Sequence, residues 1–525
     1  MPAIPNPTRP TLQPTRPSEP NAPATPQTRT TSNTNSGDWF ENAMFGALDN
    51  LLWGLNATGL AQPVANLTLK VAASGNKPNW YAGTSEHAAM ILAAEYDERD
   101  TRKSFAERSR EYLSEARVRT LTGMPLRGGT AFENEGFIKD LEKAGNAKFT
   151  AGNTVEFLID GPQSFAKRNE LIDNATDSIH LLTWSIYDDA TGEDLCKRLV
   201  KKSKEGVDVK VIIDRNIARQ RNNKKTSDYL IANGIKVIFW EDPDNIQYGN
   251  HCKVMIVDGT KAVAGGMNPG NYYSHATNLD PTYDGPKWRD TDIFVSGVGG
   301  VDQEALFVSY WNSQIEKHNL PFAPMEMDRD ALIAKADTSG TSRVAVVEHK
   351  PDDETFDVLS TMLKALSGAT TSVDIENAYF LTLPGMDQLL YAALARGVKV
   401  RIFTNSDKSV DEPLVSEPIM KALPDLMKAG AEIYIKKGDT LHSKFMVVDD
   451  AFVSLGSLNL HPRSLYYDTE MAVNVIDKNA AKALREQFDR DIEEEEALAI
   501  KTAKDLEIDS QWYNRFIAKY FSRHL

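Results

Sequence analysis

The sequence predicts an α/β protein. Two domains, each a mixed sheet flanked by helices, are related by a pseudo-twofold and share one site, preceded by an N-terminal helical region and a disordered Pro-rich tail. Three observations predict this. After Asn153, apolar strand-like runs alternate with helical patterns, as in layered α/β domains. The segment Gly206–Asp214 (GVDVKVIID) matches Gly397–Asn405 (GVKVRIFTN) at an offset of 191, and that offset carries His251 onto His442, Lys253 onto Lys444, Asp258 onto Asp449, Gly265 onto Gly456 and Asn268 onto Asn459. One register held over so long a stretch marks an internal repeat. Finally, 525 residues exceed what a single hydrophobic core supports.

Taken in order, residues 1–37 carry from Pro2 to Pro26 a proline every two to four positions (Pro5, Pro7, Pro10, Pro14, Pro17, Pro20, Pro23), which neither nucleates a helix nor buries a core. They read as a disordered tail, a linker or a docking segment. Residues 38–150 read as helical, with Trp39, Phe40, Met44, Phe45, Leu48, Leu51 and Leu52 at helical spacing. Asn50 to Leu69 is uncharged but broken by Asn56, Gln62, Pro63 and Asn66, so it reads as surface helices and no membrane span is expected. Gly and Pro clusters over Leu121 to Gly129 mark a boundary. Residues 151–330 form the first domain and 331–525 the second. Beyond the shared motif, Arg289–Val295 matches Tyr467–Val473 at an offset of 178, so the first copy carries thirteen extra residues. They fall in 271–287, rich in Gly, Pro, Asn and Tyr, and read as an enlarged loop on the rim of the site.

Composition narrows the function. The net charge of −15, from 59 basic and 74 acidic residues, is the wrong sign for a protein whose main partner is nucleic acid. Two cysteines, Cys196 and Cys252, make no disulfide framework. The N-terminus lacks the basic and apolar regions of a secretory signal.

The chemistry is concentrated in the repeat, which spells His-x-Lys-x4-Asp-x6-Gly-x2-Asn twice. On a strand, residues i and i+2 share a face, so His251 projects with Lys253 and His442 with Lys444. Converging at the pseudo-twofold, two imidazoles, two ammoniums and the amides of Asn268 and Asn459 make a phosphate-sized anion site.

These doubled motifs resemble the phospholipase D superfamily over roughly residues 150–495. More narrowly, the chain is similar to bacterial cardiolipin synthase-type members in KVMIVD (253–258), GGMN (265–268), WRDT (288–291), NAYFL (377–381), LHSK (441–444) and GSLNLHPRS (456–464). The resemblance implies phosphodiester cleavage or exchange without a metal or other cofactor. Lys253, Lys444, Asn268 and Asn459 would cradle the phosphate oxygens. One neutral imidazole would attack phosphorus to form a phosphohistidine while the other, protonated, serves the leaving alcohol. The family implies His251 as nucleophile and His442 as general acid. It also places an orienting acid about 28 residues after each histidine: Glu470 for His442 and, once the insertion is subtracted, Asp292 for His251, with Asp290 the competing candidate. Asp258 and Asp449 are assigned to motif geometry.

Blander readings fit other residues. His87, His180, His275, His318, His349 and His524 lack metal-ligand spacing and read as satisfied polar side chains. His461 reads as rim or surface, and Cys252 as sheet packing. Trp184, Tyr187, Trp240, Tyr272 and Tyr273 read as a lipid-binding mouth or as core. The run Asp491–Glu496 reads as a solvated helix face.

The expected function is a phospholipase D or phosphatidyltransferase acting on glycerophospholipids, with a phospholipid surface and an alcohol or water acceptor as partners. No nucleic acid partner is expected, and the chain should be a monomer containing an internal pseudo-dimer. Competing classes are a nonspecific nuclease of the same superfamily and a phosphate-binding interaction protein. The expected location is cytoplasmic or peripheral to a membrane, and the tail is also compatible with a bacterial effector exported by a specialised non-Sec route.

Overall fold

The computed structural model describes residues 130–507 apart from 219–222, 243–247, 277–278, 354, 384–385, 396, 413–414 and 495. The Pro-rich tail, most of the expected N-terminal helical region, the Asn50–Leu69 stretch, His87 and His524 lie outside the described residues. Of the helical region, Glu135–Ala144 is described and is an α-helix, capped by the Asn134 side chain on the Gly136 and Phe137 amides. It packs on the second half, where Lys364 donates to Asp140, and Phe132, in the turn just before the helix, stacks on Phe452 with ring centroids 5.0 Å apart.

The first half contributes β1 (Thr150–Ile159), β2 (Ser178–Thr183), β3 (Asp208–Asp214), β4 (Lys236–Trp240), β5 (Gly249–Asn250), β6 (Val254–Val257), β7 (Lys261–Gly265) and β8 (Thr291–Ser296). The second contributes β9 (Ser342–His349), β10 (Ser372–Asn377), β11 (Lys399–Asn405), β12 (Glu432–Lys436), β13 (Lys444–Val448), β14 (Phe452–Gly456), β15 (Asp468–Ile476) and β16 (Ala497–Ala499). The strand path through the sheet is β16-β12-β11-β10-β13-β14-β15-β9-β1-β8-β7-β6-β2-β3-β4. Read outward from the β9–β1 seam, the two sides run alike through a first strand, an antiparallel hairpin layer and a parallel trio, and the second side alone adds β16, antiparallel to β12. That palindrome is the pseudo-twofold, expressed in a single sheet.

The trios β2-β3-β4 and β10-β11-β12 are parallel throughout. β3 and β11 are buried at every position after the first. The seam is antiparallel, and its register shifts between Thr150 and Asn153. The core is not partitioned by half. Val254, Ile293 and Trp311 of the first half share one buried cluster with Phe403, Phe445 and Met471 of the second. Among the described residues, no helix is long and apolar enough to cross a membrane.

Candidate active site

Each motif histidine lies just before a short central strand and is steered there by the opposite half. β5 pairs in parallel with β15, and the His251 amide donates to Thr469 O at 2.9 Å. In the mirror position Leu441 bridges Arg289, and the His442 amide donates to Arg289 O at 2.6 Å. The ends of β3 and β11 clamp the preceding residues. Asp214 accepts the Asn250 amide at 2.9 Å; Asn405 accepts the Leu441 amide at 2.9 Å and returns a bond to Leu441 O at 2.7 Å. These two positions close the matched segments at the 191 offset, a signal that could have marked them as part of the site.

The orienting carboxylates cross over. His251 Nδ1 lies 3.0 and 3.1 Å from the two oxygens of Glu470, and His442 Nδ1 lies 2.8 Å from Asp290 Oδ2. This corrects the expected pairing, in which Glu470 served His442 and Asp292 served His251. Asp292 touches neither ring. Its carboxylate accepts from Arg168 at 2.8 Å, Ser164 at 2.5 Å and the Met267 amide at 3.3 Å, a buried pair that anchors helix Asp160–Asn174. Counting along one copy could not show that the acid arrives from the other.

Both imidazoles, both lysines and all three carboxylates are buried. Lys253 Nζ donates to His251 O at 2.6 Å; Lys444 Nζ donates to His442 O and lies 3.1 Å from His442 Nδ1. Burial first, and then the adjacent ammonium, holds each imidazole well below its ordinary range, so both are neutral. With Nδ1 donating to a carboxylate, each ring presents a bare Nε2. Burial brings Lys253 down to about 7 and pushes Glu470 up to about 7. Lys444 is likewise lowered and Asp290 raised by burial. Two ammonium groups held at one buried site offer charged donors to a phosphate-sized anion.

The remaining motif residues frame that space. Asn268 Nδ2 donates to Tyr273 OH at 3.1 Å and its Oδ1 accepts from Thr183 at 3.3 Å. Asn459 is equally buried. Asp258 and Asp449 sit in left-handed conformation at the β6–β7 and β13–β14 turns, with φ 51° and 55°. Each accepts three consecutive backbone amides, 176–178 and 370–372, at the start of β2 and β10. They shape the motif and lie away from the imidazoles.

The aromatic residues divide. Trp184 meets the His251 ring edge-on at 5.2 Å, and Tyr273 and Trp288 lie 5.2 and 5.3 Å from the His442 ring. Tyr272 stacks on Trp288 and meets Tyr187, so the insertion wraps the His442 side of the site. Trp240 belongs to the core. Cys252 is buried in sheet packing.

Two further expectations are corrected. His461 is buried, not on the surface: it caps helix Pro462–Tyr466, its Nδ1 accepting the Ser464 amide at 3.2 Å. Asp491 is not part of a solvated face. It is fully buried and grips Arg289 bidentately at 2.9 and 2.6 Å. Arg289 NH1 also donates to Asp290 O at 2.5 Å and Ser443 Oγ at 3.2 Å, which braces the residues on either side of the Asp290–His442 contact. Among the described residues, no group of three His, Cys, Asp or Glu side chains is placed to hold a metal ion.

A family profile described as "Cardiolipin synthase, PLD-like domain" matches residues 169–278 and 362–492, one block in each half. The chain is 30% identical over 366 residues to the major cardiolipin synthase ClsA of Bacillus subtilis, covering 69% of this chain and 73% of that one. It is 28% identical over 354 residues to a cardiolipin synthase of Staphylococcus aureus, covering 66% and 69%. In fold it is similar to the crystal structure of phosphatidylserine synthase from Haemophilus influenzae, with TM-score 0.57 and 16% identity, covering 74% of this chain and 97% of that one. The mirrored halves and the doubled motif define an enzyme of phosphodiester chemistry, and the chain belongs to the phospholipase D superfamily. Within it, the sequence is cardiolipin synthase-like.

Proposed function

We propose that this chain is a phosphatidyltransferase, with hydrolysis as its side reaction, working on glycerophospholipids at a membrane surface through a phosphohistidine. The observation that carries the reading is the crossed pair: two buried neutral imidazoles, one per half, each with Nδ1 on the other half's carboxylate and an ammonium alongside. The relatives, cardiolipin synthases, supply the lipid substrate class.

The lysines and the Asn268 and Asn459 amides receive the phosphate's non-bridging oxygens and the charge that builds in the transition state. Phosphate binding favours the protonated form of His442, whose imidazolium Asp290 stabilises. His251 Nε2 attacks phosphorus as the bond to the leaving alcohol breaks, and the His442 Nε2 proton moves to that oxygen. The now neutral His442 takes a proton from the incoming hydroxyl. Its oxygen bonds to phosphorus, the phosphorus–nitrogen bond breaks, and His251 is regenerated. An alcohol acceptor gives transfer; water gives phosphatidate.

The test is incubation of the full chain with mixed phospholipid vesicles and, separately, with plasmid DNA, His442→Ala serving as control. Phosphatidate or an exchanged phospholipid is expected by mass spectrometry, and an acid-labile phosphatidyl adduct on His251. Nicked plasmid with untouched lipid would overturn the reading.

A further inference from the structure

The two crossings between the halves differ by two residues. In one, Leu441 bridges Arg289, and Asp290 comes level with His442. In the other, Asn250, the counterpart of Leu441 at the 191 offset, pairs with Thr469, whereas the counterpart of Arg289 at the 178 offset is Tyr467. A slip of two keeps the same side chains facing the site but changes which of them meets the ring. Hence the first acid of the repeat, Asp290, serves His442, while the second, Glu470, serves His251. The acids left over have different fates. Asp292 is spent on Arg168, but Asp468, the counterpart of Asp290, stays beside His251.

The packing shows how close it stays. β5 sets Asp468 level with Gly249, and the register runs on through the His251 amide to Thr469 O. Gly249 and His251, two apart, share a face with Asp468 and Glu470. Gly249 has no side chain, and the Asp468 carboxylate uses the space: a Cβ built there would come within 3.0 Å of Asp468 Oδ1 and 2.8 Å of the Trp184 ring, which itself meets His251 edge-on. Asp468 is buried, so its charge is poorly screened. Burial and then Lys253 hold His251 neutral, and Asp468 draws it the other way. Arg463, also buried, answers Asp468 at 3.2 Å. At His442, against burial and Lys444, the corresponding pull comes from Asp411, a loop residue after β11 held by the Tyr379 hydroxyl at 2.5 Å.

The reaction has a use for that charge. His251 Nδ1 keeps its proton toward Glu470. When Nε2 bonds to phosphorus, the bond to the leaving alcohol breaks and the His442 proton goes to that oxygen. The His251 ring is then substituted on both nitrogens and stays positive until the phosphorus–nitrogen bond breaks. A neutral imidazole needs no second carboxylate; a phosphoimidazolium is stabilised by one. We infer that Asp468, acting through His251 as a positioning residue, is the second counter-charge of the phosphohistidine and prolongs its life until an acceptor arrives. This rests on the phosphohistidine mechanism proposed above and deepens it.

The experiment mixes the full chain rapidly with phosphatidylcholine–phosphatidylglycerol vesicles whose phosphatidylglycerol carries radiophosphorus, and quenches in detergent. Label arriving on His251 gives the rate of formation; its loss after a chase of unlabelled vesicles gives the rate of breakdown. Asp468→Asn should lower the ratio of formation to breakdown about tenfold, the worth of a buried counter-charge partly answered by a neighbouring cation, with breakdown no slower than in the wild type. The double variant Asp468→Asn with Arg463→Met, which removes the guanidinium along with its carboxylate, should move the ratio the same way by about threefold. Damage to the fold lowers the amount of label and leaves both rate constants alone, so whichever variant takes label decides the matter. An unchanged ratio, formation and breakdown slowed alike, or loss of all label in both variants would overturn the inference alone. A wild type that takes no label would overturn the functional reading as well.

Discussion

Asp290 Oδ2 lies 2.8 Å from His442 Nδ1 across the boundary between the halves, while Asp292, two residues further along, is spent on Arg168. Two carboxylates, one just before β8 and one within it, thus have separate duties, and substitution separates them. Asp290→Asn should lower kcat by about 10³- to 10⁴-fold, as loss of an imidazole's orienting carboxylate does, with little effect on folding. Asp292→Asn leaves a buried guanidinium uncompensated and should cost about 3–5 kcal/mol of stability. Urea unfolding beside steady-state rates checks both; equal kinetic damage from the two variants would refute the division.

Gly266 offers a gentler probe of the same contact. A Cβ built there overlaps the Asp290 carboxylate. Gly266→Ala should displace that carboxylate from His442 and reduce kcat by about 10²-fold, the usual penalty of a misplacement near 1 Å. Unchanged turnover would mean that the Asp290 position does not matter.

Burial brings the Lys253 ammonium down to about 7 despite the Glu470 carboxylate nearby. A bound phosphate raises that value, so binding takes up a proton in the window above pH 7 and weakens as pH rises. Calorimetry of inorganic phosphate binding at pH 7.5, in two buffers of different ionisation enthalpy, should show proton uptake. Identical heats in both buffers would contradict it.

The same lysine burdens the fold. Its folded value near 7 lies below the unfolded 10.5, so the unfolded chain binds the extra proton and stability rises with pH between those values. The burden is therefore complete below pH 7 and fades toward pH 10.5. Lys253→Met should be inactive yet more stable than wild type, with the larger gain in urea midpoint at pH 6.5 and a smaller one at pH 9.5. A gain that does not shrink with pH would argue against a buried charge as the cause.

Much of this was legible beforehand, for a physical reason. A repeat preserves backbone geometry, so a constant offset carries strands, turns and the residues at their ends from one copy to the other; Asp258 and Asp449, both in left-handed turns, show how literally. Contacts across the twofold leave no such trace. Nothing in the spacing of Glu470 from His442 says that its carboxylate faces His251. Asp491 looked solvated because its neighbours are acidic, and only the arrival of Arg289 from the other half accounts for its burial. Asp411 belongs to no motif, and the GSLNLHPRS run that contains His461 does not show its burial; a helix cap and a tyrosine contact place the two.

The exchange of carboxylates across the seam makes the catalytic centre indivisible. A severed half would keep its imidazole and lose that ring's counter-charge, so it could not serve as a smaller version of the whole. Two intact chains, one disabled at His251 and the other at His442, would gain nothing by meeting unless entire halves traded places between them.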